Sequence, residues 1–205
     1  MMFFDAKARE WDNDPQKIDR AKVFANEILS FVKPLRSMNG FEYGCGTGLL
    51  SYFMKDHFAR LTLADNSDGM LNVLRKKIKK EHIPNMTPIH LDLMTQNFRQ
   101  HSYDVIYTLM TLHHIRDIGK LLKQFFSMLK KGGYLCIGDL TKEDGSFHSH
   151  IPDYDGHNGF DREEIERIME SSGFKTELYK ICYRITKQSE GKVTTYPLFL
   201  MIGKK

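Results

Sequence analysis

Cysteine is scarce in this chain: Cys45, Cys136 and Cys182 are the three among 205 residues. Their odd number and wide spacing exclude a disulfide framework, a zinc knuckle and a redox pair, and point to free thiols in a reducing compartment. No apolar run approaches the roughly 20 residues of a membrane helix. The segment Met1 to Glu10 turns charged at Asp5 and lacks the apolar centre of a signal peptide. These absences lead us to expect a cytoplasmic protein without membrane contact. A strong charge of one sign is also missing, since 30 Lys and Arg against 26 Asp and Glu leave only +4. The basic run Arg75, Lys76, Lys77, Lys79 and Lys80 falls on the polar side of an expected helix, and no ladder of aromatics accompanies it. Nucleic acid is therefore not an expected partner.

What is present is ordinary for a globular chain, with 41% hydrophobic and 27% charged residues and no internal repeat. The length suits one domain over 1–205. Asp14-Pro15 reads as a helix start, followed by Ile18, Ala21, Ala25, Ile28 and Val32 at helical spacing up to Pro34. Apolar runs at Gly40–Tyr43, Arg60–Asp65, Met86–Leu91, Tyr103–Leu109 and Gly133–Asp139 then alternate with helical patterns around Leu49–His57, Asp68–Lys80, Met94–Gln100 and Asp117–Leu129. Alternation of this kind predicts parallel strands joined by right-handed crossovers. Asp161-Arg162-Glu163-Glu164 has the form of a capping box, opening a helix that stops at Gly173. The runs Lys175–Thr186 and Thr195–Ile202 are separated by too short a polar link for a crossover helix, so they are expected to pair antiparallel.

The loop Gly44-Cys45-Gly46-Thr47-Gly48 follows the first strand and precedes a helix, where an open parallel sheet binds ligands. Three alternating glycines let the backbone approach a ligand closely. The spacing is not that of a dinucleotide fingerprint, because Leu49 stands where its third glycine would be, and no Gly-Lys-Ser/Thr follows to make a nucleotide-hydrolase loop. A cofactor without a pyrophosphate fits better.

With Glu42 two residues before the first glycine, Asp65 ending the second strand in Leu63-Ala64-Asp65-Asn66-Ser67, and Asp92 following the third in His90-Leu91-Asp92-Leu93, the sequence resembles the class I S-adenosylmethionine-dependent methyltransferases. The segments Tyr103–Leu109, Leu112-His113-His114-Ile115 and Leu129-Lys130-Lys131-Gly132-Gly133 continue the likeness, which covers residues 38–140. The resemblance implies an α/β, Rossmann-like, seven-stranded and mostly parallel sheet with helices on both faces and an antiparallel C-terminal hairpin. Its parts are an arm and helix over 1–35, a cofactor core over 36–140, a lid-like loop over 141–160, and a helix and hairpin over 161–205. It further implies an enzyme that binds S-adenosylmethionine, releases S-adenosylhomocysteine, and methylates O, N or S of a small molecule. Implied cofactor contacts are Trp11, Glu42, Gly44, Cys45, Gly46, Gly48, Asp65, Asn66, Met70, Asp92, Leu93 and Leu109. An RNA or protein methyltransferase, or a non-catalytic regulator that binds the cofactor, are the alternatives, and the protein is expected to be a monomer or homodimer.

Methyl transfer from a sulfonium is an in-line displacement that needs alignment, exclusion of water and, for a protonated acceptor, a base. His113 beyond the fourth strand, with His148 and His157 in the long loop Thr141–Gly159, are the candidate bases. In related enzymes the first histidine of a pair like His113-His114 tends to face the pocket and the second to pack inward. The loop also carries His150, Asp153 and Asp155 beyond Asp139. His148-x-His150 with Asp153 has a permissive metal-ligand spacing, but no metal site is assigned. The segment Ala8-Arg9-Glu10-Trp11-Asp12 resembles an aromatic-bearing arm that closes over the cofactor.

Overall fold

The computed structural model describes residues 2–96, 98, 102–149, 151, 154–189 and 192–205. Seven strands form one sheet: β1 (Asn39–Tyr43), β2 (Arg60–Asp65), β3 (Met86–His90), β4 (Tyr103–Leu109), β5 (Leu129–Leu140), β6 (Lys175–Ser189) and β7 (Lys192–Lys204). Their order is β3-β2-β1-β4-β5-β7-β6. The first five are parallel, and β7 runs antiparallel to both β5 and β6. The chain leaves β1 towards β2 on one side and returns to β4 on the other, so a crevice opens beyond the carboxyl ends of β1 and β4.

Among the described residues six α-helices cover the sheet: α1 (Met2–Lys7), α2 (Pro15–Val32), α3 (Leu49–Met54), α4 (Asp68–Lys80), α5 (Ile118–Met128) and α6 (Arg162–Ser171). One buried apolar layer joins Phe24 and Ile28 of α2, Leu50 and Met54 of α3, and Leu71 and Leu74 of α4 to the sheet. The layer on the other face brings in Leu121, Phe125 and Met128 of α5 and Ile165 and Met169 of α6. Helix α2 begins as expected, with the Asp14 carboxylate accepting from the Gln16 amide at 2.9 Å and Pro15 in the first turn. It ends at Lys33 in the left-handed conformation (φ 49°). Its buried row is Ala21, Phe24, Ala25 and Ile28, whereas Ile18, expected inside, is 36% exposed. Among the described residues no helix is long and apolar enough to cross a membrane.

The elements depart from the sequence expectation in five places, the first being β5, which begins at Leu129 rather than Gly133. The N-terminal arm is structured, as α1 followed by a 3-10 turn over Ala8–Asn13. The expected helix over Met94–Gln100 is a turn in its described part, because the Asp92 carbonyl and side chain capture the amides of Gln96 and Met94. The Asp161 side chain does not cap α6, and its carboxylate pairs with Lys142 instead. The hairpin ladder continues through the polar link as far as Ser189 opposite Lys192.

Candidate functional site

The crevice beyond β1 and β4 is a cavity of about 530 Å³, within the ordinary range for small-molecule sites. Of the residues singled out in the sequence, Trp11, Glu42, Gly44, Cys45, Gly46, Asp65, Asn66, Met70, Leu109, His113 and His148 line it. Gly48, Asp92, Leu93 and His157 are not lining residues.

The glycine loop is held at its tip by the acid that ends β2. The Gly46 amide donates to Asp65 Oδ2 at 2.7 Å, and the Ser67 amide donates to Oδ1 at 2.9 Å. Burial nonetheless raises the Asp65 carboxyl above its usual range, with the Gly46, Ser67 and Asn66 amides opposing the shift. The three glycines all have positive φ, but for different reasons. A Cβ on Gly44 would collide with the Thr111 side chain, and one on Gly48 would lie 2.6 Å from Leu74. Only Gly46 leaves open space, its nearest neighbour being Met70 Sδ at 3.9 Å. Close approach of a ligand therefore concerns Gly46, while Gly44 and Gly48 answer to the loop's own turn and packing.

Glu42 is 3% exposed and faces the helix after the loop. It accepts from the amide of Ser51 at 3.2 Å and from the Ser51 hydroxyl, which also shares a 2.7 Å hydrogen bond with Tyr107. Burial raises its carboxyl to about 8, against the Ser51 hydrogen bonds. Cys45 is buried as well, and burial pushes its thiol up, so it is not a thiolate nucleophile.

The arm roofs this half of the cavity through a set of polar latches. Asp12 accepts from the Thr47 hydroxyl and pairs with Lys77 at 2.6 Å, while Lys77 also donates to the Thr47 carbonyl at 2.8 Å. Asp5 accepts from Ser67 Oγ at 2.6 Å and from the Gly69 amide at 2.7 Å, at the start of α4. Phe4 meets Trp11 and His114 edge-on, with centroid separations of 6.0 and 5.4 Å.

At the other half of the cavity stands a histidine cluster. His113 is 1% exposed, and its Nδ1 lies 2.5 Å from Oδ1 of the fully buried Asp139. Burial would raise the Asp139 carboxyl, but the charge and hydrogen bond of His113, joined by the Leu140 amide, hold it below the usual range. Both His113 and His114 line the cavity, and the more deeply packed ring is His113, the reverse of the expected order. Burial, with His113 alongside, lowers His114 to about 3, so it is a neutral imidazole at physiological pH. His148 stacks on Tyr154 at 4.0 Å, and ligand nitrogens of His113, His114 and His148 lie within 4.8 Å of one another. Among the described residues these three rings form a set with the spacing to take a metal ion.

His157 plays a different part, tying the long loop to the turn that carries His113. Its amide donates to the His113 carbonyl at 2.7 Å, and its Nε2 lies 2.9 Å from the Ile115 carbonyl. Asp155 pairs with Arg116 in solvent. His150 and Asp153 lie outside the described residues. Asp92 accepts from the Met94 amide through Oδ1 at 2.9 Å, and the Leu93 side chain packs in the core with its carbonyl accepting from Gln124 at 2.6 Å.

Among the lining residues that went unread in the sequence are Met110, Arg20 and Lys187. Met110 holds φ at +57° just beyond β4, where nothing in its side chain announces a left-handed turn. Arg20 carried a signal, since Arg20, Phe24 and Ile28 follow one another at four-residue spacing and share a face with the buried side of α2. Lys187 lay in what reads as a polar link.

A family model described as a methyltransferase domain matches residues 17–178. An uncharacterized methyltransferase of Schizosaccharomyces pombe is 26% identical over 171 residues, covering 75% of this chain and 60% of that protein. The phosphoethanolamine N-methyltransferase 1 of Zea mays is 28% identical over 158 residues, covering 73% of this chain and 31% of that protein. The chain thus spans less than two thirds of the length of these relatives. A solved structure titled a SAM dependent methyltransferase, from Aquifex aeolicus, superposes with a TM-score of 0.73 at 18% identity, covering 98% of this chain and 97% of that one. It shares the fold.

Proposed function

The chain belongs to the methyltransferase-domain family, the class I S-adenosylmethionine-dependent methyltransferases, and on that premise we propose that it methylates an O, N or S atom of a small molecule. The observation that carries this reading is the layout of the cavity, with the Gly46–Asp65 contact at one half and the His113–Asp139 pair at the other. When bound, S-adenosylmethionine supplies an electrophilic methyl group on a sulfonium. Space above Gly46 and a half-buried carboxylate at Asp65 suit a nucleoside, because a carboxylate accepts from two hydroxyls at once. Asn66 and Met70 flank that end and Leu109 lies between the two halves, while the aromatic arm residues Phe4 and Trp11 exclude water from above.

At the acceptor end, Asp139 fixes the orientation of the His113 ring and balances the charge that the ring takes on with a proton, the arrangement of an oriented general base. The His113 imidazole takes the acceptor's proton as the acceptor heteroatom attacks. His114, with its lowered basicity, is a neutral wall of the site. His157 positions the loop. The maize relative, named for phosphoethanolamine, is consistent with an acceptor of small size.

Two measurements test the proposal. Calorimetry should show binding of S-adenosylmethionine and S-adenosylhomocysteine that Asp65→Ala abolishes or greatly weakens. Transfer of labelled methyl into a fractionated cell extract should place the label in a low-molecular-weight product. No binding heat with the wild type, or label confined to RNA or protein, would refute it.

A further inference from the structure

Arg20 is the least satisfied charge among the described residues. Its Nε is sealed from solvent and has no hydrogen-bond partner, and no hydrogen bond or ion pair involves this side chain among the described residues. Yet it lines the cavity. The nearby carboxylates are committed elsewhere: Asp14 to Lys17 at 3.0 Å and to the Gln16 amide, and Asp139 to His113 and the Leu140 amide. A guanidinium N–H sealed from water with no acceptor is costly unless something else meets it.

A second cation stands nearby. Lys187 of β6 reaches into the same cavity, donates to the Phe147 carbonyl at 2.6 Å and lies 3.6 Å from the Phe147 ring centroid. Burial lowers its ammonium, and although Glu143 opposes this, Lys7 and Arg20 add positive field. Three acids line the cavity: Glu42 and Asp65 belong to the glycine-loop half, and Asp14, beside Arg20, is already paired with Lys17. Arg20 adds to the field on Lys187, which lies against Phe147, and Asp139, the partner of His113, acts on Arg20. Among the carboxylates, Asp14 and Asp139 act on Arg20.

We propose that Arg20 and Lys187 form an oxyanion subsite for the acceptor, so that the methylated molecule carries a carboxylate or phosphate beside the atom that receives the methyl group. The inference rests on the methyltransferase reading and adds the chemical class of its substrate. The planar guanidinium offers paired N–H donors that match two oxygens of such a group, and Lys187 adds a point charge. Anchoring the anion there holds the acceptor heteroatom near His113 and fixes its approach. The cofactor's own carboxylate is the competing source of an oxyanion, and the experiment separates the two.

Protein saturated with S-adenosylhomocysteine is titrated with inorganic phosphate and with acetate, for wild type, Arg20→Gln, Arg20→Lys and Lys187→Met. The S-adenosylhomocysteine affinity of each variant is measured separately. The expected result is saturable phosphate or acetate binding to the loaded wild type, weakened roughly 10- to 100-fold by Arg20→Gln and partly restored by Arg20→Lys. S-adenosylhomocysteine affinity should stay within about twofold, which also reports that the variants are folded. If Arg20→Gln fails to fold, Lys187→Met carries the test, with weaker anion binding expected at unchanged S-adenosylhomocysteine affinity. Absence of anion binding to the loaded wild type, or equal binding in every folded variant, overturns the subsite. A loss of S-adenosylhomocysteine affinity in Arg20→Gln, without anion binding to the loaded wild type, assigns the guanidinium to the cofactor instead and also overturns it. Should wild type fail to bind S-adenosylhomocysteine at all, the methyltransferase reading fails, and the anion titration on unloaded protein still decides whether Arg20 binds an oxyanion.

Discussion

The Gly46 amide and the Asp65 carboxylate meet at 2.7 Å, which ties the tip of the loop after β1 to the end of β2. One carboxylate thus shapes the loop and stands ready for a ligand. Asp65→Ala removes both functions, and S-adenosylhomocysteine affinity should drop by about 100-fold or more, given two charge-assisted hydrogen bonds lost. Calorimetry reads this directly. Unchanged affinity would remove Asp65 from the site.

Glu42 predicts an unusual pH dependence. Its carboxyl is raised to about 8 in the folded state, from 4.5 as the ordinary value. The folded protein therefore holds a proton that the unfolded chain releases, and stability from this group is complete below about 4.5 and lost as pH rises towards 8. Glu42→Gln keeps a neutral group there at every pH. Urea unfolding from about pH 4 to about pH 9 should show the variant gaining on the wild type across this window, by on the order of a few kcal/mol at the alkaline end. Parallel curves would contradict the assignment.

His113 and Asp139 should act as one unit in turnover. Asp139→Asn leaves a neutral partner on Nδ1, and kcat should fall about 100-fold or more while S-adenosylhomocysteine affinity is preserved. Because His114 is neutral at physiological pH, His114→Gln should leave the acid limb of the pH–rate profile in place. If instead that limb moves with His114 and not with Asp139, the base is misassigned.

Gly44 is closed to any side chain on two counts, its φ of +69° and the Thr111 side chain that a Cβ would strike. Gly44→Ala should cost about 2 kcal/mol or more. Adding Thr111→Ser should recover only part of this, since the hydroxyl oxygen and Cβ at position 111 still crowd the new methyl and the backbone conformation is unchanged. Full recovery in the double variant, measured by denaturant unfolding, would mean that φ carries no penalty.

Turnover should survive metal removal. Although His113, His114 and His148 bring nitrogens within 4.8 Å, a sulfonium methyl is already electrophilic and His113 has its own carboxylate partner. Dialysis against a chelator should leave labelled-methyl transfer within about twofold. A loss reversed by zinc would turn the trio into a metal site.

The sequence was most legible where local chemistry and tertiary fold agree. Strands β2 and β4 have their expected bounds because apolar runs end at Asp65 and Leu109, where the chain turns into the crevice. The Asp14-Pro15 start of α2 was legible for the same reason, since a cap is local. Asp161-x-x-Glu164 has the same local form, yet Lys142 from a distant loop takes its carboxylate. The helix pattern at Met94 yields to an Asp92 turn. Among site residues, the loop glycines and Asp65 could be found by spacing, whereas the partnership of His113 with Asp139 joins positions 26 residues apart on neighbouring strands' ends and has no periodic trace. Arg20 was hidden differently. An arginine on a helix ordinarily reads as solvated, and only its four-residue step to Phe24 places it on the inner face.

Asp5 accepts from the Ser67 hydroxyl and the Gly69 amide, so the N-terminal arm serves as a borrowed cap for α4. Swinging the arm aside to admit a ligand strips that cap and bares an amide at the first turn. Entry to the crevice and fraying of α4 are then a single event seen from two places, and the cofactor's exchange rate and hydrogen exchange at Gly69 should rise together in Asp5→Ala.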